Sequence, residues 1–163
     1  IIPVPQPVFI HNFGEFIPNY VGDYAMDRQF PFRRLLDDGW VLSGSSDVWV
    51  GSESCQTQPF FSVRTCVQRQ TFHGDTLSPE QAISTSEALR MHTVGGATAL
   101  AVESTRGSLE PAKYADFIVL DSNPLRTDPA RLDRIQVDEV FVAGESVYRR
   151  ASTTRLADHT YTG

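Results

Sequence analysis

Cysteine is scarce in this chain of 163 residues: Cys55 and Cys66 are the whole supply. Two thiols cannot build the disulfide framework that staples small secreted domains, so a pair of reduced thiols is expected. With no such framework, the cytoplasm is the default compartment. Long apolar runs are missing too. None approaches the roughly 18 residues that span a bilayer, so no membrane contact is expected. Positive charge is in deficit: 14 Lys and Arg stand against 20 Asp and Glu, a net charge of −6 at pH 7. Without a basic surplus to neutralise phosphate, a general nucleic-acid binder is excluded. No Asn-x-Ser/Thr sequon occurs at Asn12, Asn19 or Asn123. The opening IIPVPQPVFI has neither Met nor the basic flank of a signal peptide, and it reads like the interior of a longer protein.

Histidine is equally thin. His11, His73, His92 and His159 show no H-x-H or H-x-x-x-H spacing. A zinc site needs three or four converging ligands, so each histidine taken alone reads as structural or solvent-exposed. Residues 43–47, SGSSD, lack the second glycine of a nucleophile elbow. VGGATAL lacks the Gly-Lys-Ser/Thr ending of a phosphate loop, and its small residues suit close helix packing.

What is present is an ordinary globular balance, 40% apolar and 21% charged, enough for one domain or a piece of a larger one. Residues 1–10 are β-rich but broken by Pro3, Pro5 and Pro7, which cannot donate to a ladder, so an edge or terminal strand is expected. Residues 11–30 read as a long loop with at most a helical turn. FPFRRLLDDG predicts a short helix with Phe32, Leu35 and Leu36 on one face and Gly39 at its end. A strand from Trp40 to about Asp47 follows. FSVRTCVQRQT is helical by the spacing of Phe61, Arg64 and Val67. Ser78, Pro79 and Gln81 carry the signature of a helix start, with a break expected at Gly95-Gly96 and a further small-residue helix from Ala97 to Val102. Phe117–Leu120 reads as a strand, and VDEVFVAGESVYRR as a hairpin turning at Gly144. Residues 151–163 are polar and expected to fray.

Asp47 is the one acid that interrupts an apolar stretch, VLSGSSDVWV. An acid after Gly-Ser-Ser is often only a turn former. At the C-terminal end of a strand in an α/β setting it stands where barrel enzymes keep catalytic groups.

The order LLDDGWVLSGSSDVWV, VQRQT, LSPEQAIS, EALRMHTVGGATALA, GSLEPAKYADFIVLD and VFVAGESVYRR resembles the C-terminal portion of amidohydrolase-superfamily enzymes, within the amidohydrolase 3 branch that includes N-substituted formamide deformylases. The resemblance runs from about Gln6 to Tyr148. It implies a metal-dependent hydrolase whose barrel is (β/α)8 and whose chain ends form a small β-sandwich. On that comparison the fold class is α/β. Residues 1–103 are the last strands and helices of the barrel, with IIPVPQPVFI as its seventh strand and WVLSGSSD as its eighth. Residues 104–150 are part of the sandwich and 151–163 a flexible tail. Ala112 stands where the family usually has glycine, a change expected to affect a turn.

The same resemblance makes Asp47 the family's strand-eight aspartate, a metal ligand and proton shuttle acting on a metal-bound water. The family's H-x-H pair and remaining ligands come from earlier strands absent here. One carboxylate cannot hold a catalytic zinc. The resemblance therefore implies a divalent metal, zinc by preference, and a small amide-type substrate in a longer parent. For this segment alone it implies neither bound metal nor turnover. A piece of a barrel leaves open strand edges and bare helix faces, so self-association is expected. The competing reading is a truncated homologue that acts as an interaction or regulatory module, in which Asp47 is a relic.

Overall fold

The computed structural model describes residues 1–22, 28–48 and 54–151. Six helices come first: α1 (Val8–Phe13), α2 (Ile17–Val21), α3 (Phe32–Asp37), α4 (Pro59–Gln68), α5 (Thr85–His92) and α6 (Val94–Ala99). Strands β1 (Phe117–Leu120), β2 (Val137–Val142) and β3 (Glu145–Arg149) then form one antiparallel sheet in that order. The result is a helical body with a small three-stranded sheet. The tail expected to fray, from residue 152 on, lies outside the described residues.

The opening is not the strand its composition suggests. Pro7 starts α1, so Val8 and Ile10 are buried from a helix. Residues 1–6 are extended and lie beside residues 43–45. Ser43 donates its N–H to the Pro3 carbonyl at 3.1 Å, and Ser45 donates to that of Pro5 at 2.9 Å. This is parallel spacing, in which the return bonds to Ser43 and Ser45 would come from residues 5 and 7. Both are proline and have no N–H. The pairing is one-directional, so no regular strand forms at residues 1–6 or across Trp40–Asp47.

Helix α3 forms as its periodicity predicts, with Phe32 fully buried and Gly39 in the left-handed conformation (φ +82°) just past its end. The third helix start differs. Ser78 sits at φ +45° with no side-chain cap hydrogen bond to the helix start, and Pro79–Gln81 makes only one 3-10 turn. The chain then runs extended so that Ile83 is buried, its N–H donating to Cys66 O at 3.3 Å. The true N-cap is Ser84, whose hydroxyl accepts from the Glu87 N–H while the Glu87 carboxylate accepts from the Ser84 N–H. Gln81 serves another helix: its Oε1 accepts from the Arg34 N–H in the first turn of α3. Arg33 adds an ion pair to Glu87 at 2.7 Å, joining α3 to α5.

The helix break also falls earlier than Gly95-Gly96. It lies at Thr93 (φ −121°, ψ −91°), and both glycines are inside α6. A Cβ on Gly95 would stand 2.0 Å from the Leu42 carbonyl oxygen, whereas one on Gly96 meets nothing within 4 Å. Of the two glycines only Gly95 shows the close packing expected of these small residues, and Ala97 in the same helix is buried as well.

Helix α4 is the centre of the core. Val63 and Cys66 from it cluster with Ile10, Phe32, Leu42, Leu77, Ile83, Ala88, Met91, Leu132 and Ile135. Leu132 and Ile135 belong to and follow a 3-10 segment, Pro129–Arg134, that is tied to α4 by the Arg64–Asp133 pair at 3.4 Å. In the sheet, the hairpin turns at Ala143-Gly144, both at positive φ, and Phe117 stacks on Phe141 across the β1–β2 pair with ring centroids 4.4 Å apart.

Candidate functional site

Asp47 lies at the end of the segment that residues 3–5 hold in place. It is exposed and has a left-handed backbone (φ +47°), tolerated better by aspartate than by most side chains. Among the described residues it has no hydrogen bond or ion pair. The residues directly before it are held tightly. Ser43 and Ser45 donate to Pro3 and Pro5, Gly44 donates to the Met91 carbonyl at 3.0 Å, and the buried Gln56 donates its Nε2 to the Ser46 carbonyl at 3.2 Å.

Behind these residues is a cleft of about 410 Å³ whose wall includes Gly44, Ser46, Gln56, Ser62 and His92. His92, the last residue of α5, is half-buried, and its Nε2 is hydrogen-bonded to Ser62 Oγ at 3.0 Å. Burial disfavours the imidazolium and pushes the His92 pKa below its ordinary value. The other histidines are elsewhere. His11 sits edge-on to Phe61 at 5.0 Å between ring centroids, and exposed His73 pairs with Glu15. His159 lies outside the described residues. Among the described residues no three His, Cys, Asp or Glu side chains gather in a way that could hold a metal ion. Asp47 by itself is one ligand, and the described donor set does not fit a metal.

Cys55 and Cys66 are not bridged to one another. Cys66 is fully buried, and burial pushes its thiol up to about 12, which leaves no thiolate for chemistry at neutral pH.

The most constrained charged side chain carried no signal in the sequence. Arg69 ends α4 with φ +52° and is fully buried. Its Nε donates to Leu77 O at 2.6 Å, and its two terminal nitrogens donate to Phe30 O at 3.0 Å and Gln29 O at 3.3 Å. The guanidinium lies over the Phe32 ring at 5.5 Å. Burial lowers its pKa to about 10, so it stays cationic at neutral pH. This one group ties the end of α4 to residues 29–32 and to Leu77.

Residues 3–148 match the model of the Amidohydrolase family. The chain belongs to that family. It is 33% identical over 151 residues to an N-substituted formamide deformylase of Arthrobacter pascens, covering 92% of this chain and 27% of that protein. A metal-dependent hydrolase of Pyrococcus furiosus, known from its crystal structure, matches with a TM-score of 0.60 and 27% identity, over 76% of this chain and 24% of that one. An amidohydrolase of Thermotoga maritima shares the fold at a TM-score of 0.54 and 22% identity, over 74% of this chain and 26% of that one. The chain thus spans about a quarter of the length of the relatives it matches. No helix among the described residues is long and apolar enough to cross a membrane.

Proposed function

We propose that this chain is the C-terminal segment of a metal-dependent amidohydrolase that cleaves C–N bonds of small amide-type substrates. Residues 1–103 would close a (β/α)8 barrel and residues 104–150 would complete a β-sandwich. The observation that carries this reading is the family match across residues 3–148, which includes Asp47, in a chain a quarter as long as its relatives. In the assembled enzyme Asp47 would be one carboxylate ligand of a divalent metal, zinc by preference, with the remaining ligands supplied from outside the described residues. The metal would supply a more acidic water, its pKa lowered from 15.7 towards about 7. What this chain supplies is an exposed carboxylate with no partner among the described residues, at the end of a hydrogen-bonded segment. Asp47 would take a proton from the attacking water and pass it to the leaving nitrogen.

The test has two arms. In the full-length protein, Asp47→Asn should abolish hydrolysis of N-substituted formamides, read as formate release, and lower bound metal measured by elemental analysis. The 163-residue chain alone should show neither turnover nor stoichiometric metal. Turnover with a full complement of zinc in that chain, free of other chains, would overturn the segment reading. An Asp47→Asn enzyme with unchanged activity would overturn the role of the carboxylate. The outer edge of residues 1–6, away from residues 43–45, should also make the isolated chain self-associate, which sedimentation would record as species above monomer mass.

A further inference from the structure

The last turn of α5 grips the chain three residues before Asp47 from two directions. The Met91 carbonyl accepts the Gly44 N–H at 3.0 Å. The next residue, His92, lays its ring where a side chain at position 44 would be: a Gly44 Cβ would stand 2.5 Å from Cε1 and 2.8 Å from Nε2. That ring is fixed in turn by the Ser62 hydroxyl of α4, a buried group 3.0 Å from Nε2. Gln56, which lines the same cleft, then secures Ser46 through its carbonyl. Ser43 and Ser45 can each pair in one direction only, because Pro5 and Pro7 cannot donate back. The backbone ladder alone therefore constrains this segment less than a regular strand would. The imidazole supplies a hard stop on its other side.

We propose that His92 is a positioning residue for Asp47: braced by Ser62 and seated against Gly44, it sets the path of residues 44–46 and so the place where the carboxylate stands. This rests on the reading of Asp47 as a site residue, because the precision has a use only if Asp47 meets a substrate or metal. A misplacement of about 1 Å at a reacting group can cost about 100-fold in rate. The glycine at 44 follows from the same arrangement, since any side chain there would overlap the ring.

The experiment compares His92→Phe, which fills the space but loses the bond to Ser62, with His92→Gln, whose side-chain amide can keep it. In amide NMR spectra of this chain, His92→Phe should shift the Ser46 and Asp47 signals while His92→Gln leaves them near their original positions. In the full-length enzyme, His92→Phe should lower kcat by about 10–100-fold, with KM changed by less than about threefold, and His92→Gln should recover most of the loss. Gly44→Ala should destabilise the protein in the presence of His92 and much less in a His92→Ala background. Unmoved Ser46 and Asp47 signals in His92→Phe would overturn the proposal. So would equal losses in both variants that simply track a fall in melting temperature. If Asp47→Asn itself retains full activity, the functional reading fails instead, and the NMR comparison still decides whether His92 sets the segment.

Discussion

Ser45 gives its N–H to the carbonyl of Pro5 at 2.9 Å, and neither Pro5 nor Pro7 can return a bond to the serine segment. Parallel neighbours normally exchange donors in both directions along the ladder. Here one side donates and the other only accepts.

Replacing Pro5 with alanine restores an N–H aimed at Ser43 O. A new hydrogen bond contributes about 0.5–1.5 kcal/mol, while losing the proline's rigidity costs about 0.4–1 kcal/mol. The two nearly cancel, so the Pro5→Ala chain should melt close to the parent. Its new amide should nevertheless exchange slowly with solvent. Exchange at the rate of an unstructured peptide would show that the segments are not paired as described.

Arg69→Met should be far more damaging. The substitution keeps an apolar stem but takes the guanidinium donor from the buried Leu77 O and from the part-buried Gln29 O, while Phe30 O keeps the Phe32 N–H. Each buried unsatisfied acceptor costs about 1–3 kcal/mol. A loss of about 2–4 kcal/mol is expected from chemical denaturation. Arg69→Lys should not rescue it, because a single ammonium cannot span the Leu77 carbonyl and the Gln29-Phe30 carbonyls at once. A loss under about 1 kcal/mol would contradict the stapling role.

The two adjacent glycines of α6 should respond in opposite directions. Gly95→Ala forces a methyl to 2.0 Å from the Leu42 oxygen. Backbone must move, at a cost of about 1–3 kcal/mol. Gly96→Ala meets nothing within 4 Å. It should stabilise the helix by roughly 0.5–1 kcal/mol. Thermal midpoints of the two variants, shifted to opposite sides of the parent, are the check.

Burial of His92 also links stability to pH. Its folded pKa lies below the ordinary 6.5, so between that lowered value and 6.5 the unfolded chain binds more protons than the folded one. Stability therefore rises with pH across that window and gains nothing further from His92 above it. His92→Gln should flatten this part of the profile. Denaturation midpoints at pH 5 and pH 7.5, compared between parent and variant, would reveal a difference in slope. Parallel profiles would mean that His92 is not buried as a neutral ring.

Part of this architecture is legible from pattern alone. Helix α3, helix α4 with Phe61, Arg64 and Val67, and the hairpin at Gly144 follow from local periodicity and turn chemistry. The cap of α5 does not. Ser78 and Ser84 are each followed three residues later by Gln or Glu. Burial of Leu77 and Ile83, a tertiary effect, decides between them and diverts Gln81 to α3. The candidate site divides in the same way. Asp47 stands out as an acid in an apolar stretch, but its support comes from His92, Ser62 and Gln56, which are remote in sequence and converge only on folding. Arg69 carried no local sign at all, because its partners are backbone carbonyls and those have no sequence signature.

The alternating prolines of residues 3–7 also work as a filter on partners. The edge they present to residues 43–45 offers oxygen atoms and no hydrogen. A second copy of residues 1–6 that turned its own prolines to that edge would find nothing to bond. Only a segment carrying its own donors in register is admitted there, as Ser43 and Ser45 do, so the self-association expected of the isolated chain has to use the other edge, where Ile2 and Val4 keep their N–H groups.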